Sequence, residues 1–130
     1  MGRLPLAAAG GVALALSMGG QALAQPIWLT CYADIPDQRQ VYISGAIPAQ
    51  VSGVRKDGGR WFTDDSRAYD AQESFNQYVE AKLGRGIFGA ECEIFLSPKA
   101  AVAAAAKLRG RWTNTRLIET RWTGAQASIN

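Results

Sequence analysis

The feature that most restricts how this chain can fold is its pair of cysteines. Cys31 and Cys92 are the only two cysteines in 130 residues. A disulfide between them closes a loop of about 60 residues, and the chain-entropy model values such a closure at roughly 4 kcal/mol. That is a large share of the net stability of a small domain. Whether the bond forms depends on the compartment in which the protein folds.

The first 24 residues have the pattern of a secretory signal peptide. Arg3 is the only charge before residue 34, an apolar stretch covers residues 4–18, and Ala22-Leu23-Ala24 offers a small-x-small cleavage site. An uncleaved membrane anchor is the weaker alternative, because about 15 apolar residues at roughly 1.5 Å each fall short of a hydrocarbon core about 30 Å thick. We predict cleavage after Ala24, a periplasmic or secreted protein, and membrane contact only during targeting.

Residues 25–130 are predicted to form one small domain. Without the leader and its Arg3, 106 residues remain, with 13 basic and 11 acidic side chains. This size suits a single core, and the net charge of +2 gives no reason to expect a nucleic-acid partner. Export also places both cysteines in an oxidising compartment, so we predict a structural disulfide between Cys31 and Cys92. A redox pair is disfavoured because the two do not form a C-x-x-C motif.

Hydrophobic periodicity predicts six elements in the order ββαβαβ. Strands are expected at 27–33, 41–47, 89–96 and 115–122, and helices are expected to begin near Ser66 and at Pro98 and to end at Gly84 and Gly110. Residues 48–65 contain three glycines and a charge cluster, which favours a long loop. The simplest layered arrangement is an α+β two-layer sandwich: a four-stranded, mostly antiparallel sheet with both helices on one face.

Alternation along the strands assigns their side chains to two faces. The apolar set, expected beneath the helices together with the disulfide, is Ile27, Leu29, Cys31, Val41, Ile43, Ile47, Ala90, Cys92, Ile94 and Leu96. The opposite set, expected on an open face, is Trp28, Thr30, Tyr32, Tyr42, Ser44, Glu91, Glu93 and Phe95. In the last strand the pattern leaves open whether Leu117 or Ile118 points inward.

The sequence offers few catalytic arrangements. It contains no histidine, which excludes His-based triads, and no Gly-rich loop that would hold a phosphate. Glu91 and Glu93 would lie about 7 Å apart on one strand face. This spacing could suit glycoside hydrolysis, but a solvated strand face is the simpler interpretation. We therefore expect no enzymatic activity, no cofactor and no bound metal.

Three of the four tryptophans directly follow an arginine, in Arg60-Trp61, Arg111-Trp112 and Arg121-Trp122. Both residue types are enriched at binding hot spots, so a shared ligand surface is one hypothesis. Neighbouring residues of a strand point to opposite faces. A buried tryptophan beside a solvated arginine is therefore the simpler interpretation.

Basic residues are concentrated near the end of the chain. Six lie between Lys99 and Arg121, against Glu119 as the one acid. Such a run could favour an anionic polymer or membrane headgroups. A solvated helix face is the more ordinary explanation.

Several segments resemble a type of secreted bacterial domain of unassigned function. They are CYA followed by VYIS, FNQYVEAKLG, CEIFLS followed by AA, and IETRW. The resemblance covers most of residues 28–122 and implies no activity. Residues 89–122 also resemble the second half of a SPOR domain, a periplasmic module that binds bare peptidoglycan glycan strands. The leading hairpin departs from the SPOR order, and no binding residue carries over.

Together these observations predict a non-enzymatic periplasmic or secreted binding module, with a cell-wall glycan or a peptide as ligand. The predicted ligand-binding rings are those of the open sheet face and of the long loop: Trp28, Tyr32, Tyr42, Phe95 and Trp61. The alternative hypothesis is a protein–protein accessory or inhibitor that contacts an envelope protein through loop 48–65.

Overall fold

The computed structural model describes residues 23–87, 89–111 and 114–124. The predicted signal peptide lies almost wholly outside them. The secondary structure of the described residues is mixed α and β, which confirms the predicted α+β class. The elements are β1 (Gln25–Ile35), β2 (Gln40–Ile43), β3 (Ile47–Val51), β4 (Arg55–Asp57), β5 (Arg60–Phe62), α1 (Ser66–Leu83), β6 (Glu91–Phe95), α2 (Pro98–Arg111) and β7 (Arg116–Glu119).

The seven strands of the described residues belong to one sheet, with β1 at its centre. The sheet order is β4-β5-β6-β1-β2-β7, and β3 pairs with the first half of β1. Every pairing is antiparallel except that of β2 with β7. The prediction of a four-stranded sheet is therefore wrong, because residues 48–65 contain most of β3 and the β4–β5 hairpin. The two three-residue hairpin strands are too short and too polar to produce an alternation signal.

The chain reverses between β4 and β5 at Gly58-Gly59. Their φ angles are 59° and 81°. A two-residue hairpin turn whose twist matches its strands needs positive φ at both positions, which glycine adopts without steric cost.

A β-bulge between β2 and β3 changes which face their side chains reach. Tyr32 pairs with Ile43 and Leu29 pairs with Ile47, so three steps on β1 oppose four steps on the other strand. The extra residue inverts the alternation. Ile47 therefore lies on the same face as Leu29, whereas Ile43 lies on the opposite face with Tyr32.

Ser44 holds this bulge in place. Its backbone amide donates to the carbonyl of Cys31 at 2.8 Å, and its Oγ accepts from the Cys31 amide at 2.8 Å. One short side chain thus replaces the ladder partner that the bulge removes.

The two helices pack on opposite faces of the sheet. Phe75 and Val79 of α1 belong to the same buried cluster as Leu29 and Cys31. Leu108 and Ala105 of α2 instead pack with Ile43. In addition, Thr30 Oγ1 donates to the carbonyl of Ala101 in α2 at 3.1 Å. The prediction of two helices on one face is therefore wrong.

This error arose because the prediction assigned the apolar residues of β2 and β3 to the same face of the sheet as Leu29 and Cys31. Ile43 packs against α2, and Val41 is buried on the same face of β2, which was expected to be open. Tyr42, expected on that open face, is only 9% exposed and lies in the α1 cluster.

The ends of α1 are fixed by specific contacts. Asp65 is the N-cap, and its carboxylate accepts from the Arg67 amide at 2.9 Å. The same carboxylate accepts from the amide of Ser52 at 2.7 Å, which ties the end of β3 to the start of the helix. Gly84 ends the helix in the left-handed conformation, with φ 72°.

The segment after β7 completes the α1 side of the core. Trp122 is 2% exposed, its ring meets that of Phe75 edge-on at 5.1 Å between centroids, and its Nε1 donates to Ser74 Oγ at 3.3 Å. Ile118 of β7 packs against the same cluster. Arg121 beside Trp122 is exposed, as the buried-tryptophan interpretation expects for this pair. Trp61 beside Arg60 is only half-buried, and Trp112 lies outside the described residues. Within the described ranges, no helix combines the length and apolarity needed to cross a membrane.

Candidate functional site

The structure does not bring the predicted rings together on an open sheet face. Tyr42 belongs to the α1 core. Tyr32 packs against the cluster formed by Ile43 and α2, and its hydroxyl donates to Glu91 Oε1 at 2.8 Å. Burial raises the pKa of the Tyr32 hydroxyl, and the bond to Glu91 adds to the shift.

Trp28 and Phe95 are directly paired across β1 and β6, and both are half-buried. They lie on the face that carries α2. The predicted platform of four exposed rings is therefore wrong as a surface, because α2 covers much of that face and Tyr42 points to the other one.

Trp61 has a different environment. It is half-buried, pairs with Ile94 in the sheet, and has the Lys56 ammonium 5.5 Å from its ring centroid. It lines a cavity of about 270 Å³ between the β4–β5 hairpin and α1. Tyr69, on the first turns of α1, lines the same cavity and is 60% exposed.

This cavity adjoins a second one along α1. The second has a volume of about 490 Å³ and shares Tyr69 and Gln72 with the first. We call the two cavities together the aromatic groove. It is defined by Trp61, Phe62, Asp64, Tyr69, Gln72, Glu73, Asn76 and Cys92.

Two amide side chains of α1 lie along the groove and also complete the sheet. Gln72 Oε1 accepts from the amide of Cys92 at 3.1 Å, and Asn76 Oδ1 accepts from the amide of Ala90 at 2.9 Å. Four residues along a helix cover nearly the same distance as two residues along a strand, so the two amides reach two backbone N–H groups on the same side of the strand. Because both carbonyl oxygens accept from the backbone, the orientation of each amide is defined and its NH₂ group remains a donor.

Most charges beside the groove are already paired. Asp64 accepts from Arg55 at 3.2 Å, Asp65 pairs with Arg67 at 2.6 Å, and Arg60 pairs with Glu93 at 3.1 Å. Glu93 and Glu91, the suggested glycosidase pair, therefore have different partners. Glu93 pairs with Arg60, and Glu91 accepts from the Tyr32 hydroxyl.

The hydrogen bonds from the Arg67 side chain, followed by those from the backbone amides of Arg67 and Ser52, hold the pKa of Asp65 well below its usual range. The carboxylate of Glu73 raises the pKa of the Tyr69 hydroxyl through its charge and a hydrogen bond. Neither shift provides an acid or base that titrates near neutral pH. The groove therefore offers rings, amides and carboxylates suited to binding.

The described residues contain no cluster of three or more side chains that could hold a metal ion. The disulfide is present between Cys31 and Cys92, as predicted. Because the two cysteines are directly paired in β1 and β6, the bond crosses the middle of the sheet beneath α1.

No protein-family model matches the chain, and comparisons with curated proteins and with solved structures also found no match. The candidate site therefore depends on its own geometry.

Sequence reasoning missed the groove residues on α1. Tyr69, Gln72, Glu73 and Asn76 are spaced at three- and four-residue steps, which places them on one helix face. That polar face was available in the sequence as a signal. It lacked a partner surface, because the segment that forms the β4–β5 hairpin was interpreted as a loop.

Proposed function

We propose that this protein is a non-enzymatic binding module of the periplasm or the extracellular space, and that it holds a cell-wall glycan in the aromatic groove. The observation that carries the proposal is that Trp61, Tyr69 and Gln72 line one cavity, and that Tyr69, Gln72 and Asn76 line the adjoining one. A sugar ring offers an apolar C–H face to an aromatic ring and hydroxyl or amide oxygens to such donors.

The size and charge of the groove support a glycan. Each cavity has room for about one sugar-sized unit, and small-ligand sites commonly occupy about 300–1,000 Å³. Arg55, Arg60 and Arg67 are paired with Asp64, Glu93 and Asp65. Glu73 and Glu91 line the second cavity and form no ion pair with another described residue. Sugar hydroxyls donate as well as accept hydrogen bonds, so they suit this combination of rings, amides and carboxylates.

The extracytoplasmic location is part of the same proposal. It is supported by the signal-peptide pattern before Ala24 and by the disulfide, because such bonds persist in oxidising compartments.

The test is a binding titration of the exported protein with bare glycan strands prepared from peptidoglycan, and separately with stem peptides. Tyr69→Ala should weaken glycan binding at least about fivefold, which is roughly 1 kcal/mol. Gln77→Ala, an exposed position on the same helix outside the groove, is the matched control and should bind like wild type. Because Tyr69 is largely exposed, its substitution should leave the unfolding temperature nearly unchanged.

Equal affinities of the Tyr69 and Gln77 variants would place binding elsewhere. Binding of stem peptides but not of glycan strands, again lost in Tyr69→Ala, would retain the groove and replace the ligand.

The second candidate function is a protein–protein accessory or inhibitor that acts through the β4–β5 hairpin. Its specific support is the Phe62 ring, which is 38% exposed and has the Arg60 guanidinium 5.8 Å from its centroid. A partner recovered from envelope extract should then be lost with Phe62→Ser and kept with Tyr69→Ala. The glycan-binding module instead requires that Tyr69→Ala weakens glycan binding.

A further inference from the structure

A separate cavity of about 360 Å³ lies between the C-terminal half of α1 and the end of β7. It is lined by Tyr42, Tyr78, Lys82, Ile118, Glu119, Thr120 and Arg121. We propose that this cavity is a binding site for a small phosphate monoester.

The charges around the cavity favour an anion. Lys82 and Arg121 both line it, and neither forms an ion pair with another described residue. Glu119 also lines the cavity, but its carboxylate accepts from Arg109 at 2.7 Å. Two cations therefore face the cavity against one carboxylate that is already neutralised.

Lys82 is held near the cavity by an aromatic contact. Its ammonium lies 5.4 Å from the centroid of the Tyr78 ring, one helical turn earlier. This contact leaves the hydrogen-bond donors of the ammonium available for a ligand oxygen.

A buried hydroxyl lies close to the two cations. Thr120 Oγ1 is inaccessible to solvent and has no hydrogen-bond partner among the described residues. Buried hydroxyls in folded proteins are normally hydrogen-bonded. Thr120 follows Ile118 at the two-residue step of the strand, which places it on the α1 face.

The charge of the lining favours phosphate over carboxylate. Lys82 and Arg121 supply an ammonium and a guanidinium from two separate positions. A phosphate monoester carries about −1.5 to −2 charge at neutral pH and has three terminal oxygens that accept charge-assisted hydrogen bonds, whereas a carboxylate carries a single charge and has two oxygens. The cavity is larger than a phosphate group alone, so it has room for the esterified group beside Tyr78.

This site is independent of the aromatic groove. The groove follows the N-terminal half of α1 and the β5–β6 side of the sheet, whereas this cavity lies at the other end of the helix and beside β2 and β7. Failure of glycan binding would leave the phosphate proposal intact, and the reverse also holds.

The test is a titration with inorganic phosphate, followed by amide chemical shifts, at constant ionic strength maintained with sodium chloride. The amides of Thr120 and Arg121 should shift and saturate. Lys82→Gln and Arg121→Gln should each weaken phosphate binding at least about tenfold. Lys107→Gln removes the same charge from α2 on the opposite face and should change the affinity less than twofold.

Thr120→Val keeps the shape of the side chain and removes the hydroxyl. Because this hydroxyl has no solvent-accessible surface, we expect the variant to remain folded and to bind phosphate like wild type, which makes it a control for the two cations. The proposal is overturned if the amides of Thr120 and Arg121 do not shift, if Lys107→Gln weakens binding as much as Lys82→Gln, or if acetate saturates the site with the same affinity as phosphate.

Discussion

Cys31 and Cys92 face each other directly across β1 and β6, with their Cα atoms 4.0 Å apart. The disulfide therefore joins two strands that are already neighbours in the sheet. Everything between the two cysteines, from β2 to α1, lies within the covalent loop. The β3 strand, the hairpin and α1 are thus all confined between two points fixed in the central strands.

The first prediction concerns this bond. Replacing both cysteines with alanine should lower the free energy of unfolding by about 4 kcal/mol, because the unfolded chain regains the freedom of a loop of about 60 residues. Urea denaturation of the oxidised protein and of the double variant measures the difference. A decrease of less than about 1 kcal/mol in the free energy of unfolding would contradict this prediction.

Part of the fold could be predicted from sequence because its signals are local. The disulfide follows from two cysteines and export. The ends of α1 follow from Asp65 and Gly84, and the start of α2 follows from Ser97, whose Oγ accepts from the Ala100 amide at 3.1 Å. Each of these depends on residues close in sequence or on a unique chemical pair.

The sheet and the site could not be predicted because their signals are not local. The bulge at Ser44 is visible only once Ile43 and Ile47 have partners on β1, and it decides which layer each side chain joins. The groove requires α1 and the β4–β5 hairpin to meet, and a hairpin of two three-residue strands gives no periodic pattern. Tyr42 shows the consequence. Because it was assigned to the wrong face of the sheet, a ring that belongs to the core was predicted to bind a ligand.

The second prediction concerns acid stability. The pKa of Asp65 is lowered from its ordinary value of 3.8 in the folded protein. The stabilisation from its ionised form is therefore fully present above that unfolded value and is lost as the pH falls through the folded pKa. Asp65→Asn keeps an oxygen for the N-cap but removes the charge. Its urea midpoint should lie below that of wild type at pH 7, and the gap should narrow steadily below pH 4.

Asp64→Asn is the matched control for this measurement. Asp64 also pairs with an arginine, but its side chain is 90% exposed, and exposed pairs contribute little. The Asp64 variant should follow wild type across the pH range. A gap between wild type and Asp65→Asn that widens on acidification would show that the carboxylate is not stabilising in its ionised form.

The third prediction concerns the amides that complete the sheet beside the groove. Gln72→Ala removes the acceptor of the Cys92 amide and should speed hydrogen exchange at Cys92 while leaving Ala90 protected. Asn76→Ala should do the reverse. Gln77→Ala should leave both amides at their wild-type rates, because Gln77 is exposed and lies off the groove. Equal exchange in all variants would mean that water or another group already serves these amides.

The last prediction concerns the segment that follows β7. Gly124 has φ 85°, and a Cβ atom at this position would lie 2.8 Å from Cγ2 of Ile47. Gly124→Ala therefore adds both an unfavourable backbone conformation and a steric overlap with a buried side chain of β3. It should lower the free energy of unfolding by more than about 1 kcal/mol.

Gly45 supplies the matched control for this substitution. A Cβ atom there meets nothing within 4 Å, and its φ is not positive. Gly45→Ala should change the free energy of unfolding little, or raise it by up to about 1 kcal/mol by restricting the unfolded chain. Thermal unfolding followed by tryptophan fluorescence compares the two variants with wild type. If Gly124→Ala proves as stable as Gly45→Ala, the segment carrying Trp122 does not pass against Ile47, and the α1 core must be closed in another way.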